Sequence, residues 1–215
     1  MYQSVRLFSL FTAFGVVAFI IFIIMLLNFK DNFTIFEFIK LCLSSISGAG
    51  LFFLLVGQTP LFPLLCRLPI VRKVFPPIDG KWTAVLESNW DKIREMKGIP
   101  EGVGNSRVEG EVRIVSRLLF VRINFKSTTK YSRSKTVCVS VSRDEQDSTV
   151  QLNYIYENDT DDPESTDSSR HNGAGRVTIS DDPGGVTMEG TYWTDRKWNE
   201  GMNTAGKVSF FRKKP

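Results

Sequence analysis

Histidine and cysteine are scarce in this sequence, and their scarcity excludes most metal and nucleophile chemistry. His171 is the only histidine, and Cys138 is the only cysteine beyond residue 66. Neither residue type can supply a cluster of zinc ligands, and a lone thiol in the polar part of the chain suits a reducing compartment. We interpret His171 as a solvated loop residue. The sequence therefore predicts no catalytic residues, no metal site and no resident cofactor.

Loops built to hold phosphate or calcium are also missing from the sequence. Gly102 and Gly104 are too isolated to form a phosphate-binding loop. The acidic stretch at residues 157–167 lacks the glycine of a calcium loop, so we interpret it as a solvated segment.

Charge is nearly absent from the first third of the chain. Residues 1–66 contain only three of the 27 Lys and Arg and two of the 23 Asp and Glu. An uncharged run at residues 7–27 would span roughly 30 Å as a helix, the thickness of a hydrocarbon core. A second run follows Lys40 and ends as a helix near residue 57, because Pro60 and Pro63 break helix geometry. Residues 1–66 are therefore predicted to form a transmembrane hairpin with spans at 7–27 and 41–57, and the first run is too long for a signal peptide.

Basic residues predict the orientation of this hairpin. Arg67, Arg72 and Lys73 follow the second span with no acidic residue among them, whereas the link between the spans has two lysines balanced by two acids. The positive-inside rule then places both termini in the cytoplasm. We expect residues 67–78 to be a Pro-rich basic linker whose cations lie against anionic lipid headgroups.

Small residues recur in the second predicted span. Ser44 and Gly48 are four residues apart, as are Ser45 and Ala49. Small side chains at that spacing let helices approach closely in lipid. The pattern predicts packing on the first span of the same chain, either alone or together with neighbouring chains.

Beyond the linker, at residues 79–215, the hydrophobic period changes to two. Val112 and Ile114 alternate with charged residues, and Val137, Val139 and Val141 alternate with polar ones, which places each set on one buried face. The same pattern predicts eight strands, at residues 80–88, 107–115, 118–127, 135–143, 149–157, 173–180, 186–194 and 204–212.

Eight sequential antiparallel strands without a long helix between them predict an all-β cytoplasmic domain. A closed, lipocalin-like, up-and-down β-barrel removes the edges that an open sheet would expose, and a two-sheet sandwich is the alternative. In the barrel, the links 89–106, 128–134, 158–172 and 195–203 all lie at the end opposite the membrane linker. Long links on one rim of a rigid scaffold are where binding sites usually lie.

Aromatic and cationic residues concentrate at this long-link mouth. They are Trp90, Tyr131, Tyr156, Tyr192, Trp193 and Trp198, and Lys130, Arg133, Lys135, Arg170, Arg196 and Lys197. Rings can stack on nucleobases, and arginine can hold a phosphate with two parallel hydrogen bonds, although each ring could equally be a core residue with a solvated polar tip. The predicted ligand-binding set is Trp90, Tyr131, Arg133, Tyr156, Tyr192, Thr194, Arg196, Trp198, Asn203 and Thr204.

The charge balance of the barrel limits the class of ligand. Once Arg67, Arg72 and Lys73 are set aside, its 21 basic and 21 acidic residues cancel. A domain that grips long nucleic acid normally carries net positive charge, whereas a small anionic ligand needs only two or three local cations. We therefore expect a small anionic ligand and no long nucleic acid.

The order of these parts resembles a known family. Two spans, a short outside link, a Pro-rich connection and a barrel that opens with Gly80-Lys81-Trp82 resemble the two-transmembrane β-barrel effectors of bacterial CBASS antiphage operons, the CD-NTase-associated membrane effectors. The segment 190–196 (GTYWTDR), followed by Gly201 and the final strand, is similar to the end of that barrel. The resemblance covers the whole chain in order and size.

The resemblance implies a signalling role without catalysis. A cognate CD-NTase makes a cyclic dinucleotide on phage infection, the barrel binds it as an activating ligand, and the chain forms a homo-oligomer that disrupts the bacterial inner membrane and kills the infected cell. The implied partners are the cyclic dinucleotide, membrane lipids and further copies of the chain. Two other functions stay open: a membrane-tethered, lipocalin-like carrier of a small apolar ligand, and a membrane adaptor whose barrel docks a partner protein.

Overall fold

The structure, a computed structural model, describes residues 7–28, 34–128, 132–144, 149–182 and 185–212. The helices in these ranges are α1 Leu7–Leu27, α2 Ile35–Gln58, α3 Leu61–Leu65, α4 Pro69–Arg72 and α5 Trp90–Lys97. The strands are β1 Gly80–Ser88, β2 Arg107–Ser116, β3 Val121–Ser127, β4 Ser132–Arg143, β5 Val150–Thr160, β6 Arg170–Asp182, β7 Gly185–Thr194 and β8 Ala205–Arg212. A short 3₁₀ helix, Trp198–Glu200, precedes β8.

Two helices, α1 and α2, are long and apolar enough to cross a membrane. α2 begins at Ile35, six residues before the start of the predicted span. Thr34 caps it, because the Thr34 side chain accepts a hydrogen bond from the backbone N–H of Glu37 at 3.3 Å, and Lys40 pairs with Glu37 at 3.2 Å. The helix thus continues through the two charged residues that bounded the predicted span.

The small residues of α2 divide between two faces. Ser45 and Ala49 are buried, and a Cβ added at Gly48 would lie 3.4 Å from the Ile21 side chain of α1. Ser44 is exposed. The face with Ser45, Gly48 and Ala49 therefore packs on α1, and Ser44 lies on a face that this contact leaves open.

The eight strands form a closed barrel in which every neighbouring pair is antiparallel. β8 pairs back onto β1 from Trp82 opposite Arg212 to Ser88 opposite Gly206. This closure confirms the predicted up-and-down barrel and contradicts the sandwich alternative. Several strands run beyond their predicted ends, so the first residues of the acidic stretch 157–167 belong to β5. The first long link contains α5, which the sequence did not predict.

A β-bulge follows Thr136 in β4, where the register against β5 shifts. Val137 is 66% exposed, whereas Val139 and Val141 are buried. The prediction that Val137 shares their buried face is wrong, because one extra residue reverses the alternation of side chains. Thr136 turns inward instead, and its hydroxyl accepts a hydrogen bond from the backbone N–H of Ile123 at 2.9 Å.

The inside of the barrel is divided into an apolar half and a polar half. The half nearer the short links is filled by aliphatic side chains that are at most 2% exposed: Ile114, Val141, Leu152, Val177 and Met188. In the half nearer the long links, serine, threonine, asparagine and tyrosine side chains lie beside apolar ones such as Leu86 and Phe125. The aliphatic half therefore forms a solid floor beneath a polar chamber.

The segment between α2 and β1 seals this floor from outside. Phe62 of α3, Cys66 and Ile78 belong to the same core cluster as the barrel interior. The indole N–H of Trp82 donates a hydrogen bond to the Ile78 carbonyl at 2.8 Å. Burial raises the pKa of the Cys66 thiol to about 12, so this thiol stays protonated at neutral pH.

Close backbone approach at Gly206 gives a test of barrel closure. A Cβ at Gly206 would overlap the carbonyl oxygen of Glu87 in β1. We expect Gly206→Ala to lower the free energy of unfolding by roughly 2 kcal/mol, because the paired backbones have to separate. Lys207→Ala, an exposed neighbour in the same strand, should change it by less than about 0.5 kcal/mol. Chemical unfolding of the full chain in detergent, followed by tryptophan fluorescence, measures both, and equal stabilities would contradict this packing.

Candidate ligand-binding cavity

A cavity of about 170 Å³ occupies the polar half of the barrel. Side chains from the strands form its wall, and Gly104, Asp167, Arg196 and Thr204 at the long links form its rim. The cavity lies at the end opposite α3 and α4. The structure therefore has a chamber at the end where the sequence predicts the binding mouth.

Three tyrosines from two strands form one side of the cavity. Tyr154 and Tyr156 of β5 have ring centroids 6.0 Å apart, and Tyr192 of β7 is buried beside them. Gly173 and Gly175 on β6 make room for two of these rings, because a Cβ at either glycine would overlap the facing tyrosine. Burial raises the pKa of all three hydroxyl groups, so they are neutral hydrogen-bonding groups at physiological pH.

Arg196 is the cation at the rim of this cavity, and its side chain is only 16% exposed. Its guanidinium carbon lies 4.8 Å from the ring centre of Trp90, and its Nη1 lies 3.6 Å from a carboxylate oxygen of Asp167. Its Nε and Nη2 atoms are buried and have no hydrogen-bond partner among the described residues. Burying such donors without partners is unfavourable, so this guanidinium is poised to bind an anion or another acceptor.

The residues around Arg196 hold it in place. The indole N–H of Trp90 donates to the Val103 carbonyl at 2.8 Å. Gly104 has a φ of +73° and lies so close to the ring that a Cβ would be 2.5 Å from the indole nitrogen. On the other side, the Asp195 carboxylate accepts a hydrogen bond from the backbone N–H of Asn172 at 2.6 Å. Trp90, which contacts the guanidinium, and Asp195, which precedes Arg196 in the chain, are therefore both held by the barrel wall and its links.

A group of hydroxyl and amide side chains completes the polar wall. The Asn158 amide oxygen accepts hydrogen bonds from the hydroxyls of Ser132 at 2.9 Å and Ser134 at 2.7 Å, and its nitrogen donates to Thr160 at 3.2 Å. These side chains line the cavity. They offer donors and acceptors of neutral charge, which suits the edges of bases and sugar hydroxyls.

Across the cavity, β7 and β8 meet through a threonine pair. The hydroxyls of Thr194 and Thr204 lie 3.1 Å apart, and the backbone N–H of Thr204 donates to the Thr194 hydroxyl at 3.1 Å. Both residues were predicted for the site and both line the cavity.

His171 also lines the cavity, which contradicts its interpretation as a solvated loop residue. It lies on β6, which begins at Arg170, three residues before the start that the sequence predicted. Burial lowers the pKa of its imidazole, and the positive charge of Arg196 adds to this effect, whereas Asp167 opposes it. The ring is therefore neutral at physiological pH.

The structure brings together six of the ten residues in the predicted set. Those that line the cavity are Trp90, Tyr156, Tyr192, Thr194, Arg196 and Thr204. Arg133, Trp198 and Asn203 are exposed and do not line it: Arg133 pairs with Asp161 at 2.9 Å, and Trp198 is 72% exposed. Tyr131, like Lys130, lies outside the described residues.

The remaining mouth residues face solvent or neighbouring links. Lys135 and Arg170 both pair with Glu157 on the outside of the barrel, at 3.5 and 2.8 Å. Trp193 is half-exposed on the same outer surface. The ammonium group of Lys197 donates to the Ser165 carbonyl and so ties two long links together.

Several cavity residues were missed by the sequence analysis: Ser132, Ser134, Tyr154, Asn158, Thr160, Asp167 and His171. For β4 and β5 a signal existed. The alternation in β5 that turns Tyr154 and Tyr156 inward also turns Asn158 and Thr160 inward once the predicted strand is extended by three residues. Asp167 has no such signal, because it lies in an irregular link.

Comparison with known proteins gives one family and one named relative. Residues 73–212 match the family model described as "Cap15, cyclic dinucleotide receptor domain". Over 137 residues the chain is 31% identical to a protein of Escherichia albertii named CD-NTase-associated protein 15. This similarity covers 64% of the chain and 62% of the relative, so the chain spans less than two thirds of that protein's length.

Alkaline titration tests the burial of the tyrosines. Exposed tyrosines ionise near pH 10, whereas Tyr154, Tyr156 and Tyr192 keep their protons until the barrel opens. The unfolded state then binds fewer protons than the folded state, so stability falls as the pH rises above about 10. Tyrosinate absorbance should show at least three of the five tyrosines ionising only with unfolding. Tyr192→Phe should remove one of them, and ionisation of all five in the folded barrel would contradict the burial.

Proposed function

The chain belongs to the family of Cap15 cyclic dinucleotide receptor domains, and we propose that it is a membrane effector of CBASS antiphage defence that binds a cyclic dinucleotide in its barrel. The single observation that best supports this proposal is Arg196, which lines the cavity and whose buried Nε and Nη2 atoms have no hydrogen-bond partner among the described residues. A phosphodiester oxygen pair is the acceptor that a guanidinium binds best.

The rest of the cavity suits the other parts of such a ligand. The rings of Tyr154, Tyr156 and Tyr192 can stack on a nucleobase or pack edge-on against it. The hydroxyls around Asn158 can form hydrogen bonds with base edges or ribose. At about 170 Å³ the chamber is smaller than the sites that enclose drug-sized ligands, which are roughly 300–1,000 Å³. We infer that one nucleotide enters the chamber and that the other stays among the long links at the rim.

Asp167 is an anion that pairs with Arg196 at the rim of the chamber. Its carboxylate lies 3.6 Å from the Arg196 guanidinium and is largely buried. A ligand phosphate would therefore compete with Asp167 for Arg196 and free the link between β5 and β6 to move. Replacement of Asp167 by the ligand phosphate would therefore change the structure of the rim when the ligand binds.

A receptor role accounts for these residues better than the alternatives do. A carrier of apolar molecules needs only an apolar chamber, whereas this one combines apolar side chains such as Leu86, Val108 and Phe125 with serine, threonine, asparagine and arginine. An enzyme would need a nucleophile and a base that both line the cavity, whereas Ser168, whose hydroxyl lies 3.4 Å from a ring nitrogen of His171, does not line it. Recruitment of a partner protein in the absence of nucleotide would favour the adaptor function instead.

We further propose how binding leads to cell death. The protein is held by α1 and α2 in the bacterial inner membrane with both termini in the cytoplasm. Ligand that remains at the rim contacts a neighbouring barrel, and the exposed face of α2 around Ser44 packs on neighbouring spans. The resulting homo-oligomer disrupts the membrane. Tethering in two dimensions raises the local concentration, so weak contacts suffice.

Removal of the Arg196 guanidinium tests the site. Cyclic dinucleotides should raise the melting temperature of the full chain, and Arg196→Ala should weaken binding at least about 30-fold, because it deletes a charge-assisted contact of about 2 kcal/mol. Arg133→Ala is the matched control, since Arg133 lies at the same end but outside the cavity. Calorimetry and thermal unfolding measure both. Equal loss of binding in the two variants would contradict the assignment of the cavity.

Substitution of Ser44 separates assembly from binding. Ser44→Leu should reduce ligand-dependent dye release from liposomes that contain the protein, because a bulky side chain blocks close approach of neighbouring helices. Its ligand-induced rise in melting temperature should match that of the wild type. Ile46→Leu, another exposed position on α2, should leave dye release unchanged. Full dye release by Ser44→Leu would rule out this face as the contact between spans.

A further inference from the structure

We propose that the membrane-proximal end of this protein is a second binding surface, which docks the barrel onto the anionic phospholipid headgroups of the leaflet where α2 ends. The surface, here called the headgroup face, consists of α3, α4, Lys73 and the turn between β2 and β3 at residues 117–120. It lies at the opposite end of the barrel from the ligand cavity and does not depend on the proposed function.

The position of the headgroup face follows from the length of α2. If the hydrocarbon core begins after Lys40, the part of α2 from Leu41 to Gln58 spans about 27 Å of its roughly 30 Å, so Gly57 lies near the far boundary. The backbone N–H of Leu118 donates to the Gly57 carbonyl at 2.9 Å, and a Cβ at Gly57 would lie 2.9 Å from the Leu118 side chain. The β2–β3 turn therefore contacts α2 at the boundary of the bilayer, so the barrel end cannot stand away from the membrane.

On the side of the headgroup face that points away from the barrel, the side chains are apolar and exposed. Phe62 and Cys66 turn towards the barrel core and are buried. Their neighbours on the other side are exposed: Leu61, Leu64, Leu68, Ile70 and Leu119, with Ile70 84% exposed. A contiguous exposed apolar patch marks an interaction site, and its continuity with a membrane span identifies lipid as the occupant.

The charges of the face fit an anionic leaflet. Residues 59–78 contain Arg67, Arg72 and Lys73 and no acidic residue. Arg72 is paired with Asp181 of β6, whereas the side chains of Arg67 and Lys73 are exposed. Cations beside inserted leucine and isoleucine side chains are the pattern of segments that lie in the headgroup region of acidic membranes.

The face is held rigidly to the barrel, so docking fixes the orientation of the cavity. Asp79 accepts hydrogen bonds from the backbone N–H of Ser116 at 2.8 Å and from Arg117 at 3.0 Å. Arg143 donates to the Lys73 carbonyl, and Arg212 donates to the Pro77 carbonyl. Because these contacts join the segment 73–79 to three strands or their ends, the chamber is directed away from the bilayer.

Spin-label accessibility in nanodiscs tests the proposal on the full chain without added nucleotide. Nitroxide is attached at Ile70→Cys or Leu119→Cys in a Cys42→Ala/Cys138→Ser background, since Cys66 is buried and unreactive. Val137→Cys, exposed on the barrel wall, is the control. Oxygen, which partitions into lipid, and a water-soluble nickel chelate serve as colliders. The bilayer is phosphatidylcholine mixed with phosphatidylglycerol.

We expect oxygen to relax the labels at positions 70 and 119 more than nickel does, and the reverse at position 137. Replacing phosphatidylglycerol with phosphatidylcholine should lower the oxygen-to-nickel ratio at positions 70 and 119. Water-like ratios at both positions would overturn the proposal, and so would low accessibility to both colliders, which would indicate a protein contact. A ratio that is unaffected by phosphatidylglycerol would overturn the role of anionic headgroups.

Discussion

The pairing of β8 with β1 is the constraint on which the rest of the structure depends. Seven residue pairs join these strands, and Gly206 allows the two backbones to approach closely. Without this contact the sheet would have two exposed edges, and the links at its ends would not meet. Closure alone brings Trp90, which follows β1, within 4.8 Å of Arg196, which follows β7. The candidate site is therefore a product of the global topology rather than of any local motif.

Closure also divides the barrel interior into a packed aliphatic half and a half that contains the cavity, and the chemistry of the site depends on this division. Aliphatic side chains fill one half and exclude water from the floor, while glycines at positions 173 and 175 give the tyrosine rings space in the other half. A guanidinium at the edge of such a chamber is partly desolvated, which strengthens its attraction for an anion. The same burial keeps the tyrosines and His171 uncharged, so Arg196 and Asp167 dominate the electrostatics of the cavity.

Sequence patterns predicted the barrel because one-sided burial imposes a period of two on every strand. They failed where the period breaks or a strand runs on. The bulge after Thr136 cannot be seen in an unbroken alternation of valines, and the early end assigned to β5 hid Asn158 and Thr160. Ser132 and Ser134 face the inside of the barrel, so Arg133 between them faces outward. This direction could be predicted only if β4 were known to begin at Ser132, three residues before its predicted start. Asp167 depends on the path of an irregular link, which no periodicity encodes.

The two ends of the barrel are suited to different mechanical roles. The floor is packed by α3 and the segment around Ile78 and is hydrogen-bonded to the end of α2, so it is a densely packed layer. The rim is held by a few polar contacts, such as Arg196 with Asp167 and Lys197 with Ser165. A ligand can shift a protein only through contacts that differ between two states, and the rim is where such contacts exist. Under the proposed function, a signal from the cavity would therefore begin at the rim, where it can pass to the rim of a neighbouring barrel.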